Sequence, residues 1–441
     1  MVDKSDNLCS CYSWGWSDDG RLGLSPLSNS ANSANSANSA NSANSANSAN
    51  SANPRNSASP TKNDSNTTHN IINCRGGLQD LYNWPMPTFS ADISPLNNKP
   101  IRSIAGGARH SVFCNSDGVV SCSGWNGHGQ CGRKIDKTNP NAGFLEPVTV
   151  EGIMKAGQPV FCKEVFAGHA TSYALTGEGK IYSWGKGLWG ALGHTVEDGD
   201  DAERDSPKAR IVKSLTDQTV TILSAGFQHV VCQTHAKRIY SWGRNNFGQL
   251  GLGKNSMDSK FFPTPMEITK GLSANEKIIK ITAGHNHSLL LVEIKRPDQR
   301  VEITVFGWGC CDNERLGGVD ARMHHTPQEI HSVTTLVRKN NLVLKDIKGG
   351  GSHSLALEKY NGLVIAWGGG QYGQLGHGHI WDRADPVFVT GLRSVVAIGA
   401  GQRHSMALVD RIQATDATDG ELYVWGYNEY GELGLGDCDV R

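Results

Sequence analysis

A two-part motif recurs along the chain and restricts its possible folds more than any other sequence feature. One part is a Trp-Gly pair followed by Gly-x-Leu-Gly. Clear copies begin at Trp14, Trp184, Trp242, Trp367 and Trp425, and degenerate copies begin at Ser123 and Phe306. After a first step of 109 residues, successive copies start 58–64 residues apart. A nearly constant period indicates a fold assembled from repeated supersecondary units.

The other part of the motif reads small-Gly-x-x-His-Ser, and its histidine position lies 13–21 residues before six of the seven Trp-Gly copies. That position is occupied by His110, Thr171, His229, His287, His353 and His404. A proline begins each full unit, at Pro87, Pro147, Pro207, Pro265, Pro327 and Pro386. The constant order of these features indicates one structural unit repeated along the chain.

The pattern inside a unit predicts short β-strands. Segments such as Val220–Ala225 alternate or run apolar for four to six residues, and glycines bound them. Glycine supplies 52 of the 441 residues, and because glycine weakens helices we expect little helix. The sequence pattern therefore predicts about four strands in each unit. A single sheet of this size cannot bury both of its faces, whereas sheets packed radially bury each other, as in a propeller.

A unit of this length with the order Gly-x-x-His, Trp-Gly, Gly-Gln-Leu-Gly resembles the repeat of the regulator of chromosome condensation family. WD repeats are shorter, at about 40–45 residues, and kelch repeats have about 50. The resemblance covers about 8–24 and 85–436, which is nearly all of the chain outside one polar tract. It implies an all-β, seven-bladed β-propeller.

The number of motifs does not match seven complete blades. Residues 8–26 contain a Trp-Gly motif without a preceding Gly-x-x-His, and the six full repeats lie in 76–441. In the family, the first and last strands of the chain share one blade, so we expect the last blade to lack about two strands. A shortened chain, a six-bladed ring and an open ring all fit this count, and the first is favoured. An open ring would expose unpaired strand edges.

Residues 29–52 are eight copies of Asn-Ser-Ala. A tract with no apolar side chain larger than alanine cannot offset the entropy of ordering. We therefore predict that 27–75 is a disordered, low-complexity insertion in a surface loop. Such an insertion costs the fold little, because loop-closure entropy grows slowly with length.

Charge and hydropathy argue against several classes of protein. The chain has 42 basic and 42 acidic side chains, so we predict neither direct nucleic-acid binding nor membrane binding. No apolar run approaches the ~20 residues of a transmembrane helix, and the N-terminal segment contains no signal-peptide core. The eleven cysteines form no Cys-x-x-Cys pair, which predicts reduced thiols in a cytoplasmic or nuclear protein. We expect a monomeric propeller.

The repeated histidine and tryptophan side chains are interpreted as structural. Their copies lie one blade rotation apart, whereas a metal needs three or four ligands at about 2.1–2.3 Å from one point. We expect the histidines to hydrogen-bond backbone groups between strands or blades, the tryptophans to pack between blades, and Cys310 and Cys311 to be buried thiols. Catalytic triads, phosphate-binding loops and paired-carboxylate motifs do not stand out. No catalytic, cofactor-binding or metal-binding residue is therefore predicted.

Three departures from the repeat are candidate partner-contact loops, because loops carry the specificity of a shared scaffold. They are the insertions at 295–300 and 411–420 and the acidic segment at 197–205, which suits a basic partner surface. The candidate residues are Lys295, Arg296, Asp298, Arg300, Arg411, Asp416, Asp419, Asp198, Asp200 and Asp201.

The resemblance implies a protein-interaction propeller that acts on a small GTPase, since the founding member of the family is a Ran nucleotide exchange factor. Its activity would be guanine-nucleotide exchange rather than bond-making chemistry. The alternative is a non-enzymatic scaffold, as in the tubulin-suppressor relatives, which partner a small zinc protein in tRNA and elongation-factor modification. A photoreceptor is set aside, because the family's plant ultraviolet-B receptor uses tryptophans whose positions here hold Ala108, His169, Phe227, His285, Gly351 and Gln402.

Overall fold

The computed structural model describes residues 11–16, 83–90, 99–139, 143–194, 204–268, 275–318, 322–410, 421–435 and 439–441. These residues belong to one compact unit, which comprises Met1–Ser25 and Tyr82–Arg441. The predicted insertion at 27–75 lies outside the described residues, so its disorder stays a prediction.

The described strands form antiparallel sheets in which strands pair in sequence order. The first sheet contains only β1 (Cys11–Trp16) and β2 (Asn83–Ser90). Blade 1 contains β3 (Ile101–Gly106), β4 (His110–Asn115), β5 (Val120–Trp125) and β6 (Gly143–Thr149). A small hairpin, β7 (Met154–Lys155) and β8 (Gln158–Pro159), follows it. Blade 2 contains β9 (Cys162–Ala167), β10 (Thr171–Thr176), β11 (Ile181–Gly185) and β12 (Ser206–Ile211).

Four further blades follow along the chain. Blade 3 contains β13 (Val220–Ala225), β14 (His229–Thr234), β15 (Ile239–Arg244) and β16 (Phe261–Glu267). Blade 4 contains β17 (Glu276–Ala283), β18 (His287–Lys295), β19 (Val301–Cys310) and β20 (Met323–Glu329). Blade 5 contains β21 (Leu344–Gly349), β22 (His353–Glu358), β23 (Val364–Gly368) and β24 (Arg383–Phe388). Blade 6 contains β25 (Val395–Ala400), β26 (His404–Val409) and β27 (Glu421–Gly426).

The all-β propeller is confirmed, but the predicted count of seven blades is wrong, because the described residues form six. β1 carries the first Trp-Gly pair and bonds only to β2, so this sheet matches the third and fourth strands of a blade. The physical reason lies in the motif count. A blade needs a Gly-x-x-His turn to join its first two strands, and the sequence contains six such turns. In blade 6, Arg441 exchanges backbone hydrogen bonds with Gly426 at 2.7 and 3.0 Å.

The prolines that begin each sequence unit lie in the outermost strand of the preceding sheet. Pro147 lies in β6, Pro207 in β12 and Pro386 in β24, each at the outer edge of its blade. An edge strand tolerates proline because one of its sides makes no ladder hydrogen bonds. Each sequence unit therefore supplies the outer strand of one blade and the first three strands of the next.

The hydrophobic core lies in the joints between blades. Five clusters of buried side chains each combine residues of two successive blades, and each cluster contains one tryptophan: Trp184, Trp242, Trp308, Trp367 or Trp425. Four of these indoles are 0% exposed and Trp425 is 9% exposed. The prediction that the tryptophans pack between blades is therefore confirmed for four of them, and in blade 4 the position is filled by Trp308. The same prediction for Trp14 concerns a side chain outside the described residues.

The Trp-Gly pair of blade 4 is Trp308-Gly309, and its assignment to Phe306-Gly307 was wrong. Gly309 pairs with His287 and Trp308 with Ser288, as Gly368 pairs with His353 in blade 5. Both dipeptides fit the motif, and side chains two residues apart on a strand share a face. Only the register with β18 distinguishes them.

One α-helix, α1 (His331–Lys339), joins blades 4 and 5. Its buried Val333 and Val337 lie one turn apart and pack into the core of this joint. The sequence analysis did not predict this helix, because a nine-residue segment with three apolar residues, Val333, Leu336 and Val337, is too short to establish a helical period. No helix among the described residues has the length and apolarity needed to span a membrane.

The first strands of five blades line a shared central channel. Residues from β3, β9, β13, β17 and β21 surround a cavity of about 360 Å³. Because strands in a meander alternate in direction, the Gly-x-x-His turns and the connections after Trp-Gly lie at one end of the blades, and the hairpins between second and third strands lie at the other. The end that carries the Gly-x-x-His turns is called the channel mouth.

Candidate functional site at the channel mouth

The joints that position the channel mouth are built on a backbone carbonyl that accepts two hydrogen bonds from the next blade. Between blades 5 and 6, the carbonyl of Gln374 accepts from the Ser405 hydroxyl at 2.8 Å and from Trp425 Nε1 at 2.9 Å. His353 Nε2 lies 2.9 Å from the same hydroxyl. Equivalent bonds join His110 to Ser172, His229 to Ser288 and His287 to Ser354. The histidines thus link blades as predicted, but to a serine hydroxyl rather than to the backbone.

The direction of these bonds sets the imidazole tautomer. Because Ser405 donates its single hydroxyl proton to the Gln374 carbonyl, it accepts from His353, and Nε2 of this histidine carries the proton. Nδ1 of His229, His287 and His353 is buried without a hydrogen-bond partner among the described residues. Burial lowers the pKa of both His229 and His353 to about 3. These imidazoles are therefore neutral at pH 7.

The glycine three residues before each histidine provides the space for the ring. A Cβ atom built on Gly350 would lie 2.2 Å from His353 Cε1, and one built on Gly284 would lie 2.4 Å from His287 Cε1. Any residue other than glycine would displace the imidazole from its serine partner. The Gly-x-x-His spacing of the sequence is therefore a packing requirement of the joint.

The joint between blades 2 and 3 differs from the other four in both partners. Thr171 replaces the histidine, and Val230 replaces the serine of the next blade. The carbonyl of Ala191 still accepts two bonds, from Trp242 Nε1 at 3.0 Å and from the Tyr173 hydroxyl at 2.7 Å. Tyr173 therefore supplies the second donor that a serine provides elsewhere.

We expect the substitutions Thr171→His and Val230→Ser to be coupled. Each alone places a polar group in a buried joint without its partner, whereas the pair restores the histidine–serine bond of the other joints. The free energy of unfolding of the double variant should exceed the additive expectation by about 1 kcal/mol. Urea denaturation of the four proteins of the cycle measures this coupling, and additive costs would contradict it.

Backbone hydrogen bonds connect the six turns into an arc around the channel mouth. The amide of Ala108 donates to the carbonyl of His169 at 2.9 Å, His169 donates to Phe227 at 3.0 Å, and Gly351 donates to Gln402 at 3.1 Å. His285 donates in the same way to the carbonyl of Gly350 of the next turn. The residue that follows the turn glycine is therefore held at a fixed place in each of the six blades.

Three of these residues form an aromatic arc. The ring centroids of His169 and Phe227 are 4.3 Å apart with the planes tilted by 57°, and those of Phe227 and His285 are 3.8 Å apart with a tilt of 34°. All three side chains are half-buried. Because their backbones are joined to each other, the rings form a preformed stacking surface that needs little ordering when a ligand binds.

Arginine side chains of the mouth lie over aromatic rings. The guanidinium carbon of Arg109 is 5.3 Å from the ring centroid of Trp125, and that of Arg244 is 5.3 Å from Trp189. Arg403 lies 4.6 Å from Tyr372 in the same way. A cation–π contact restrains the position of each guanidinium group at the mouth.

Burial and then the positive charges of the mouth lower the pKa of the two histidines in the aromatic arc. Burial lowers the pKa of His169, and Lys186 and Arg109 lower it further. Burial also lowers the pKa of His285 to about 4, with additional repulsion from Arg315 and Arg244. Both imidazoles are neutral at pH 7, so the positive potential of this surface comes from the arginine and lysine side chains.

Three cations of the mouth are not paired with a carboxylate in the part of the chain that the structure describes. The carboxylate of Asp205 lies at this end, where it bonds His128 at 2.7 Å and accepts from the Gly187 amide at 3.0 Å. Within the described ranges, Lys186, Arg244 and Arg315 form no ion pair with a carboxylate. Arg315 is 6% exposed, and its nitrogen atoms donate to the backbone carbonyls of Asp312 and Gly351 and to an amide oxygen. All of these acceptors are neutral, so the guanidinium keeps its full charge.

The candidate loop at 295–300 lies at the opposite end of blade 4. Its charges pair within the hairpin and with α1. Arg300 Nε donates to Asp298 at 2.6 Å, Arg296 Nε donates to Glu302 at 2.6 Å, and Glu302 also pairs with Arg338. Lys295 is exposed at the end of β18. These pairs reduce the charge available to a partner, and a contact role for this loop stays a prediction.

The other candidate loop residues lie outside the described residues. Arg411, Asp416 and Asp419 belong to the segment between β26 and β27, and Asp198, Asp200 and Asp201 belong to the segment between β11 and β12. Their contact role stays a prediction.

The sequence analysis missed the channel mouth. It examined the positions of His169, Phe227 and His285 only for tryptophan. The signal was present, since three successive units carry a ring at the residue after the turn glycine. These residues are 58 positions apart in sequence. The sequence therefore does not indicate that their rings lie together unless the packing of the joints is known.

Cysteine residues do not contribute to this surface. The seven described cysteines are buried free thiols, which include Cys310 and Cys311 as predicted. Burial raises the pKa of the Cys311 thiol to about 12. Among the described residues, no three histidine, cysteine, aspartate or glutamate side chains are grouped as metal ligands.

Comparison with known proteins places this architecture in a family. The family model described as RCC1-like domain matches residues 154–441, and the regulator of chromosome condensation (RCC1) repeat matches residues 101–130. The E3 ubiquitin-protein ligase HERC2 of Homo sapiens is 30% identical over 359 residues, which cover 81% of this chain but only 6% of HERC2. The ultraviolet-B receptor UVR8 of Arabidopsis thaliana is 29% identical over 351 residues, or 79% of this chain and 70% of UVR8.

Solved structures agree with the propeller fold. Human WBSCR16 superposes with a TM-score of 0.69 at 21% identity and covers 98% of this chain and 92% of its own. Prp20p of Saccharomyces cerevisiae superposes with a TM-score of 0.67 at 18% identity, covering 99% and 85%. At these identities the likeness concerns the fold. Together with the match over most of the chain, it establishes that this chain belongs to the family of RCC1-like domain propellers.

Proposed function

We propose that this chain is a protein-interaction propeller that binds a small GTPase at the channel mouth and promotes release of its nucleotide. The observation that carries the proposal is the preformed surface of stacked rings and cations at the mouth. Family membership points to the type of partner, since the founding member is a Ran exchange factor. The structural study of Prp20p also concerns its binding to Gsp1p and histones. Action in the cytoplasm or nucleus is part of the proposal.

Exchange activity sets a thermodynamic requirement on the partner. The propeller must bind the nucleotide-free GTPase more tightly than the loaded one, by the same factor by which it weakens nucleotide binding. A 10⁴-fold weakening corresponds to about 5.5 kcal/mol of differential binding. Rigid elements suit this role, because ordering of the propeller then costs little of the binding free energy.

The first experiment is affinity capture from a lysate, run with Mg²⁺ and GTP and again with EDTA. We expect a small GTPase to be enriched in the EDTA sample. The purified GTPase should then release a fluorescent GDP analogue faster when the propeller is added. Capture of the same proteins in both samples, without faster release, would contradict exchange activity and leave the scaffold as the function.

Matched variants test the face that binds. The mouth variant carries Lys186→Glu and Arg244→Glu, and the control variant carries Lys295→Glu and Arg300→Glu at the opposite end of blade 4. Both change the same number of charges on half-buried or exposed side chains. We expect the mouth variant to lose exchange activity by at least about tenfold and the control to retain it. Loss of exchange activity in the control variant alone would indicate that the GTPase binds at the hairpin end of the blades.

A further inference from the structure

We propose that the channel mouth binds an acidic polypeptide segment, whose carboxylates contact the cations around the aromatic arc. This inference deepens the proposed function and rests on its binding face, but it does not require that the partner be a GTPase. The proposal comes from the sign of the charges at the mouth, the placement of the Arg244 guanidinium and the balanced charge of the channel.

The first argument is the sign of the charge. The Lys186 amide donates to the Ala170 carbonyl, next to His169, at 2.9 Å, and the Arg244 amide donates to the Gln228 carbonyl, next to Phe227, at 2.9 Å. Both cations therefore lie beside the arc, and Arg109 and Arg315 add positive charge near His169 and His285. A carboxylate that approaches the arc is therefore attracted from both ends. Because His169 and His285 are neutral at pH 7, they add stacking and hydrogen-bonding capacity without adding charge to this balance.

The second argument is the placement of the Arg244 guanidinium. Its central carbon lies 5.3 Å from the ring centroid of Trp189 and 5.7 Å from that of Phe247, and these contacts restrain the group beside the arc. A guanidinium donates hydrogen bonds to a planar carboxylate in pairs. Arg244 uses one terminal nitrogen to donate to Gln228 at 3.1 Å, which holds the side chain at the mouth.

The third argument is the charge of the channel below the mouth. Lys280 and Lys348 line it, but the carboxylate of Asp346 lies 4.0 and 3.7 Å from their ammonium groups. Glu164 also lines the channel, and its negative charge favours the protonated form of Lys348. Two cations and two anions balance here, so the positive potential is confined to the mouth, where we expect an acidic segment to bind without entering the channel.

A polypeptide fits these observations better than a nucleic acid. The chain as a whole is neutral, with 42 basic and 42 acidic side chains, so it provides no extended field for a polyphosphate. The cavity of about 360 Å³ behind the mouth accommodates single side chains rather than a duplex. An acidic segment with an interspersed aromatic or apolar residue could place that residue on the arc and its carboxylates on the arginines.

The test uses the full chain and a soluble oligoglutamate peptide with one tyrosine, measured by calorimetry at low salt. We expect binding that weakens steeply with added salt, and no binding of an oligolysine peptide of equal length. Arg244→Gln and Lys186→Gln should each weaken oligoglutamate binding by about fivefold or more. Lys237→Gln, which changes an exposed side chain in the hairpin between β14 and β15 at the opposite end of blade 3, should leave it unchanged.

Nuclear magnetic resonance of the histidine side chains locates the peptide. A bound carboxylate favours the imidazolium form, so the titration midpoint of His285 should rise when the peptide binds. Equal loss of binding in the Lys237 variant, or equally tight binding of a single-stranded oligonucleotide, would overturn the proposal.

The two proposals can fail separately. Oligoglutamate binding at the mouth without any GTPase capture would retain the acidic-segment site and remove the exchange activity. GTPase capture that survives Arg244→Gln and Lys186→Gln, without oligoglutamate binding, would retain exchange activity and remove the acidic-segment site.

Discussion

Mild acid should destabilise this protein far more than a propeller without buried histidines. His229, His287 and His353 are at most 1% exposed. Burial lowers the pKa of His229 and His353 to about 3, and burial followed by repulsion from Arg315 lowers that of His287 well below its ordinary value. The unfolded chain binds protons at these sites below about pH 6.5, whereas the folded chain does not. The stability is complete above that pH and is lost as the pH falls toward 3.

The size of this effect follows from proton linkage. Between pH 7 and pH 5, each such imidazole lowers the free energy of unfolding by about 2 kcal/mol, so three account for about 6 kcal/mol. That is comparable with the total stability of many domains, so we expect unfolding near pH 5. Urea denaturation at a series of pH values, followed by tryptophan fluorescence, measures the slope.

A pair of variants attributes the acid sensitivity to the joints. His353→Gln keeps an N–H donor for Ser405 but does not titrate, so we expect a smaller loss of stability between pH 7 and pH 5, although the variant is less stable at pH 7. His331→Gln changes an exposed side chain and should keep the slope of the parent. An unchanged slope in His353→Gln would show that other groups cause the acid sensitivity.

Removal of a joint tryptophan should have the next largest effect. Trp367 is 0% exposed, lies in the core cluster between blades 4 and 5, and donates its Nε1 proton to the Arg315 carbonyl at 3.1 Å. Trp367→Ala should lower the free energy of unfolding by about 3–5 kcal/mol, because it leaves a cavity between two sheets that cannot close without moving a blade.

A second tryptophan of the chain serves as the control. Trp381 is 71% exposed in the connection between β23 and β24. Trp381→Ala should change the free energy of unfolding by no more than about 0.5 kcal/mol. Trp367→Phe should fall between the two, since it retains most of the apolar volume and loses the hydrogen bond. Equal losses at Trp367 and Trp381 would contradict a core located in the joints.

The joint chemistry shows why sequence reasoning was partly right. Neighbouring residues of the motif serve different joints, since Ser354 bonds His287 of blade 4 and His353 bonds Ser405 of blade 6. His110 bonds Ser172 of the next blade, which lies 62 residues away. The motif predicted a recurring structural role for the histidine, but the partner depends on how blades pack.

The exceptional joint illustrates the same point. Thr171 and Val230 each look like a degenerate motif copy in the sequence. Only the packing of blade 2 on blade 3 shows that the two replacements meet, and that Tyr173 supplies the missing donor to Ala191. A fold with one altered joint is therefore maintained by a compensating residue that the repeat pattern does not mark.

The sequence by itself determined the repeat, the strand content, the all-β propeller and the burial of the tryptophans, because each follows from patterns within a single unit of about 60 residues. The tertiary structure decided the number of blades, the register of the Trp-Gly pair in blade 4 and the composition of the channel mouth. These depend on contacts between units. His169, Phe227 and His285 stack because the backbones of three successive turns bond to each other, and no pattern within one unit records that distance.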